Sequence, residues 1–223
     1  MATQTADFDV DFSQTGILGN EILEQLNTLR EVDPIHWSKA SNCWIVTGHA
    51  DVLEAMHGAF PLSTKRLIQV TFGAMPEEER NSLYPNLSKY IPNWIINVDP
   101  PDHTRLRKLL LKAFSKKSIE AFRPFVEQRV KILIDKMTQQ PELEFNEDIA
   151  RQLPGSVILG LLGLSQDNLP RLRNWANSFM EAIGNPFADA RTMQAAEDAM
   201  ADMNVLISSE IEKRKASPQD DLL

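Results

Sequence analysis

Residues 99–117 read DPPDHTRLRKLLLKAFSKK, and the way this stretch begins and repeats decides how the chain folds. Asp99 is an N-cap candidate, and Pro100 follows where a missing backbone N–H costs nothing, so a helix is expected to start here. At about 100° per residue, His103, Arg107, Leu110 and Phe114 fall on one face, at steps of four, three and four. Two basic side chains thus lie in an apolar stripe. If that face is inside, Arg107 must meet an anion, because an unpartnered buried guanidinium costs several kcal/mol. Spacing alone leaves three partners open: a carboxylate from elsewhere in the protein, water reached by a snorkelling side chain at a domain edge, or the anionic group of a bound ligand.

The other face differs. Arg105, Lys108, Lys112 and Lys116 recur at steps of three, four and four, and with Arg107 and Lys117 they make six basic residues between His103 and Ser118 with no acid among them. In a chain of net charge −8 such a cluster either steers an acidic partner or is a solvated helix face.

Beyond this stretch nearly every periodic segment repeats at helical spacing, which predicts a helix-rich protein with a small β element. Helices are expected over 17–29, 51–56, 100–114, 118–137, 147–162, 166–183 and 192–215. Ile119, Phe122, Val126, Val130, Leu133 and Met137 form one core-facing stripe; Met193, Ala196, Met200, Met203, Ile207 and Ile211 form another. Residues 35–48, IHWSKASNCWIVTG, hold two short apolar runs around a polar cluster, which suits a β hairpin. Between 60 and 93 the period is lost and Pro61, Pro76, Pro85 and Pro92 interrupt the pattern, so a long, partly irregular connection is expected. The pair Gly160 and Gly163 reads as a packing feature of a helix or its exit.

With 31 acidic against 23 basic side chains, nucleic acid is a poor partner, since phosphate binding needs clustered Lys and Arg. The start, MATQTADFDVDF, lacks the basic and apolar regions of a secretory signal. The longest apolar stretch, 157–164, is about half of the roughly 18 residues that span a bilayer. No membrane partner and a cytoplasmic location are therefore expected. Cys43, the single cysteine, leaves no intrachain disulfide or multi-cysteine metal site and reads as a packed thiol. No metal site, phosphate loop or nucleophile elbow is visible.

The string DPPDHTRLRKLLLKAFSKKSIEAFRP (99–124) resembles a signature of bacterial soluble cytochromes P-450, the haem-thiolate monooxygenases, in which such a run opens the helix called C. DPIHWSKASNCWIVTGHADVLEAM (33–56) is similar to the family's first hairpin and B helix, MPEEER (75–80) to part of the B to C connection, and LPGSVILGLLGLSQDN (153–168) to the E helix and the turn into F. The likeness runs from about residue 17 to 223. It implies a mainly α, cytochrome P-450 fold with helices A to G and a small β hairpin, truncated before the oxygen-binding helix. Within the N-terminal part of that single domain, 1–16 would be an N-terminal extension; 17–57 helix A, the hairpin and helix B; 58–98 the B to C connection; and 99–223 helices C to G and the start of H.

The resemblance further implies haem b as cofactor, with His103 and Arg107 hydrogen-bonding a propionate. It implies that Trp94, Ile95 and Ile96 help to shape the substrate pocket and that 166–215 forms a lid. The partners would be a small apolar organic substrate, O2, and a ferredoxin- or flavodoxin-type electron donor, docked on Arg105, Lys108, Lys112 and Lys116. The Gly-rich loop that carries the family's thiolate ligand does not occur in residues 1–223, and Cys43 cannot stand in for it. No catalytic residue is therefore expected in this chain, which would be inactive alone, while the intact protein would be an oxidoreductase inserting oxygen into an apolar molecule. The alternative is a non-catalytic helical binding protein that reuses the fold. It would have to bury the Leu110 and Phe114 face by itself.

Overall fold

A computed structural model describes residues 9–11, 20–58, 60, 62–139, 142, 144–185, 188–219 and 221–223, which fall into two compact units, 1–63 and 64–223. In the first unit, Ile22, Leu26 and Leu29 stand at helical spacing and form the inner face of α1 (Asn20–Val32), with Ile22 and Leu29 fully buried. The helix runs past the expected residue 29 and stops where Pro34 bars its continuation; residues 17–19 of the expected helix lie outside those described. Strands β1 (Ile35–Ser38) and β2 (Cys43–Val46) then pair antiparallel, with His36 opposite Ile45 and Trp37 opposite Trp44. Asn42, at φ 49°, takes the left-handed turn that asparagine tolerates. The strands alternate as period two demands: His36, Ser38 and Ile45 face inward, while Ile35, Trp37, Trp44 and Val46 face out. Helix α2 (His49–Met56) follows. Within the expected N-terminal extension, 1–8 and 12–16 lie outside the described residues, but Val10 is fully buried with Ile22, Leu29 and Ile45.

In the second unit the long, partly irregular connection expected over 60–93 contains short helices. It holds α3 (Arg66–Phe72), α4 (Glu77–Leu83) and α5 (Pro85–Tyr90), then 3-10 turns at Ile91–Asn93 and Ile95–Asn97. Of the prolines read as interruptions, Pro76 caps α4, Pro85 occupies the first turn of α5, where no N–H is needed, Pro92 lies in the first 3-10 turn, and Pro61 lies outside the described residues. Gly73, at φ 59°, ends α3. Next come α6 (Asp102–Ala113), α7 (Lys116–Thr138), a π turn (Asn146–Ala150), α8 (Gln152–Leu161), a 3-10 turn (Gln166–Asn168), α9 (Leu169–Ala182) and α10 (Ala190–Ala216). The single helix expected over 147–162 is thus broken at its first turn, and that over 166–183 begins as a 3-10 turn. No helix among the described residues is long and apolar enough to cross a membrane.

Two packing features hold this unit. Phe72, Tyr84, Leu87 and Ile91 meet Ala182, Met193, Ala196 and Met200, so α10 forms one wall of the core and the 66–91 segment the other. Gly160 lets α8 approach α7 closely: a Cβ there would come within 2.5 Å of the Phe125 ring and 2.9 Å of Phe122. The two predicted stripes are inward over part of their length. Leu133 and Met193, Ala196 and Met200 are buried, but Ile119 and Ile211 are exposed.

Inside the core, Glu197 of α10 is 5% exposed; Oε1 accepts from the Asn86 backbone N (2.9 Å) and Nδ2 (2.6 Å), and Oε2 from the Leu87 backbone N (2.9 Å). It satisfies amides at the start of α5 that have no partner within that helix. Glu197→Ala should destabilise the chain by about 2–4 kcal/mol in urea unfolding, since it leaves buried donors unpaired. Glu197→Gln, which keeps one acceptor oxygen, should lose less.

Candidate functional site

Helix α6 begins later than its sequence suggests. Asp99 does not cap it with its side chain; Oδ1 accepts instead from the Thr64 backbone N (3.1 Å) and Oγ1 (3.2 Å), tying the approach to α6 to the segment before α3. The Asp99 carbonyl accepts from the His103 backbone N at 3.1 Å, so the first helical turn is anchored through the main chain. Downstream, α6 packs chiefly on the Ile95–Asn97 turn and buries none of its residues fully.

The face that carries His103, Arg107, Leu110 and Phe114 is therefore largely open. His103 is half-buried, Arg107 is exposed, and Leu110 and Phe114 are 45% and 44% exposed. Among the described residues neither the His103 nor the Arg107 side chain makes a hydrogen bond or ion pair, so no described carboxylate is the partner. Water, a bound anion and a carboxylate elsewhere in the protein remain as partners. Leu109, Leu111 and Ile119 extend the apolar exposure around the end of α6 and the start of α7. The helix thus presents an imidazole and a guanidinium beside uncovered hydrocarbon, a mixture suited to a ligand that is apolar over most of its surface and anionic at one edge.

The basic cluster is placed differently from a single helical face. Arg105, Lys108 and Lys112 lie on α6 and are exposed, but Lys116 and Lys117 open α7. Ser115 separates the two helices: its backbone is extended, and its Oγ accepts from the Ser118 N at 3.2 Å to cap α7. Two of the cations have loose surface partners, Arg105 with Asp102 at 3.8 Å and Lys116 with Glu120 at 3.9 Å. Exposed pairs of this kind contribute little and leave the patch positive. Pro100, Pro101, Thr104, Arg105, Lys108 and Leu109 line a shallow surface depression there.

The three pocket candidates part company. Trp94 packs edge-on to Phe179 of α9, ring centroids 5.7 Å apart, and joins the core; Ile95 is half-buried; Ile96 is 63% exposed. Helices α9 and α10 are clamped together by Arg171, whose Nε lies 3.1 Å from Asp202 Oδ2, while Trp175 Nε1 donates to the same oxygen at 2.9 Å. The Arg171 guanidinium holds the Asp202 carboxyl below its ordinary range. Cys43 is half-buried against the core of the first unit. Sequence reasoning missed the buried Glu197 and a buried His36 bonded to Asp9 and Asp33, because each pairs residues far apart in the chain or across a loop.

No family model matches the chain. Among curated proteins it is similar to cytochrome P-450 107B1 of Saccharopolyspora erythraea, 31% identical over 185 residues, covering 82% of this chain and 42% of that protein. It is also similar to 6-deoxyerythronolide B hydroxylase of the same organism, 27% identical over 227 residues, 99% of this chain and 51% of that one. Among solved structures, the cytochrome P-450 BioI, in complex with a hexadec-9Z-enoic acid ligated acyl carrier protein, superposes with a TM-score of 0.75 at 25% identity, over 89% of this chain and 49% of its own. The chain spans about half the length of the curated relatives it matches.

The openness of α6 has a measurable consequence. Leu110→Gln and Phe114→Gln should each shift the unfolding free energy of the 223-residue chain by no more than about 0.5 kcal/mol, and should lower its binding of an apolar dye. A loss of about 2–5 kcal/mol, the range for truncating a packed core side chain, would mean that the face is covered.

Proposed function

The chain belongs with the bacterial cytochromes P-450, sharing their fold over about half of their length, and from that premise we propose that the protein containing it is a haem-dependent monooxygenase. The observation that carries this reading is the pair His103 and Arg107, without side-chain partners among the described residues, on a helix face continued by exposed Leu110 and Phe114. A macrocycle that is apolar in its body and carries carboxylates at one edge fits that donor set. Arg107 would offer a propionate two parallel N–H bonds, and His103 would add a third donor from one turn away. When bound, haem b supplies the redox-active iron at which O2 is activated, and the protein's share is orientation and a shaped, dry pocket. Cys43, packed in the first unit, is not offered as the iron ligand.

The remaining assignments follow the same premise. Ile95 and Ile96, beside α6, would line the pocket for a small apolar organic substrate, with Trp94 bracing the segment through Phe179. Arg105, Lys108, Lys112 and Lys116, all exposed, would steer a ferredoxin- or flavodoxin-type electron donor of acidic surface. A cytoplasmic location accords with such partners. The alternative of a self-contained, non-catalytic helical binding protein is disfavoured by the uncovered Leu109, Leu110, Leu111 and Phe114.

In the haem-loaded protein Arg107→Ala should weaken haem retention by about 10- to 100-fold, as expected for one charge-assisted hydrogen bond. Unchanged retention in an apomyoglobin transfer assay would remove Arg107 from the site. The reduced, CO-bound protein should show the absorption of a thiolate-ligated haem, and an imidazole-type spectrum would contradict the reading. Reversing Lys108 and Lys112 to Glu should slow reduction by the donor at low salt, with the difference fading as salt screens the patch. Rates indifferent to both would end the docking assignment.

A further inference from the structure

The first unit holds a titratable cluster for which the haem reading has no use. His36 sits on the inward face of β1, 9% exposed, between two carboxylates: Nδ1 lies 2.8 Å from Asp33 Oδ2, and Nε2 lies 3.3 Å from Asp9 Oδ1. Asp33 follows α1, whereas Asp9 belongs to the N-terminal strap, residues 9–11. The other oxygen of Asp9 accepts from the backbone N of Lys39 (2.9 Å) and Ala40 (2.8 Å) in the hairpin turn. Ser38 and Ser41 hydroxyls donate to the Val10 carbonyl at 2.8 and 2.9 Å. These bonds seat the Val10 side chain in the core of the unit.

We propose that His36 is a proton-operated clasp: as imidazolium it binds Asp9 and Asp33 together and holds the 9–11 strap on the hairpin, and on losing its proton it lets the strap loosen. An imidazolium has two N–H donors, one for each carboxylate, but a neutral ring has one donor and one lone pair. Asp33, with the shorter contact, keeps the donor. Asp9 then faces a lone pair across about the same gap, and two acceptors so placed repel. No other charge bears on the ring among the described residues. Ile45 is its partner across the ladder, Cys43 shares the inward face, and Val10, Ile22 and Leu29 complete the cluster.

The titration behaviour agrees with the geometry. Donation to Asp33 foremost, then to Asp9, lifts the His36 imidazolium above its ordinary 6.5 despite burial. The Ala40 amide foremost, with His36 contributing, holds the Asp9 carboxyl down at about 2. A raised imidazole stabilises fully below 6.5, and that stabilisation is lost as pH rises through the folded-state value. A lowered carboxyl stabilises above its ordinary 3.8, and its effect is lost only as pH falls toward 2. The clasp is therefore tightest between 3.8 and 6.5 and opens on the alkaline side.

Nuclear magnetic resonance of the labelled 223-residue chain from mildly acidic to alkaline pH tests this. The His36 ring signals should titrate with a midpoint above 6.5, and the Val10 methyl and Ala40 amide signals should move with that same midpoint. Across it, Ala40 amide protection should fall about tenfold more than the intrinsic exchange rate requires, the expectation for losing one charge-assisted hydrogen bond. Asp9→Asn should lower the His36 midpoint and abolish the coupled movement of Val10. A His36 midpoint at or below 6.5 in the unsubstituted chain, or a raised midpoint that leaves Val10 and Ala40 unmoved, overturns the clasp.

Discussion

A carboxylate cannot leave water unless donors meet it, and in the second unit that demand fixes how α10 and α5 stand together. Glu197 is buried among Met193, Ala196 and Met200 and is satisfied by the Asn86 and Leu87 amides, more than a hundred residues earlier in the chain. An apolar side chain at this position would leave the start of a six-residue helix with unmet N–H groups in a dry core. With the carboxylate in place, Leu87 and Ile91 project into the cluster that also receives Phe72 and Tyr84. Trp94, three residues further on, packs on Phe179 and delivers the chain to the Ile95–Asn97 turn against which α6 rests. The placement of the candidate site thus descends from one buried polar contact through a series of apolar ones.

Charge works differently at the two ends of this arrangement. At Glu197 it is buried, matched and geometrically specific. On α6 and the start of α7 it is exposed and nearly unmatched, with surface pairs at 3.8 and 3.9 Å that water and salt screen. The first kind specifies a fold; the second kind projects a field. A basic cluster in a chain of net charge −8 keeps its sign at short range because its own helix supplies one acid, Asp102, at its first position.

Local physics made much of this readable in the sequence. The hairpin followed from two apolar runs around a polar turn, and α7, α9 and α10 followed from period. Prolines misled. Pro76 and Pro85 look like breaks in a window of weak period but sit where helices begin, so α4 and α5 were hidden behind residues that mark their first turns. Spacing left burial of the α6 face open. A stripe of Leu110 and Phe114 reports that a face is apolar, and what covers it depends on partners that periodicity does not encode. Glu197, and the His36 contact to Asp9, lay beyond reach because each joins segments distant in the chain, for which a single sequence carries no signal.

The openness of α6 bears on how a cofactor would bind. The helix is fastened at its start, through Asp99 to Thr64 and through main-chain bonds, and it rests on a three-residue turn; most of its residues are exposed and none is fully buried. A helix of twelve residues held in this way gains little from tertiary packing, and isolated helices of that length are marginal in water. A group that bonded His103 and Arg107 while covering Leu110 and Phe114 would supply the packing the helix lacks. Part of its binding free energy would go into ordering α6, and the affinity of the site would fall by that amount. Cofactor retention and helix order are therefore coupled on this face: substitutions that favour the helix without touching the ligand should tighten binding, by the same linkage through which the ligand stabilises the helix.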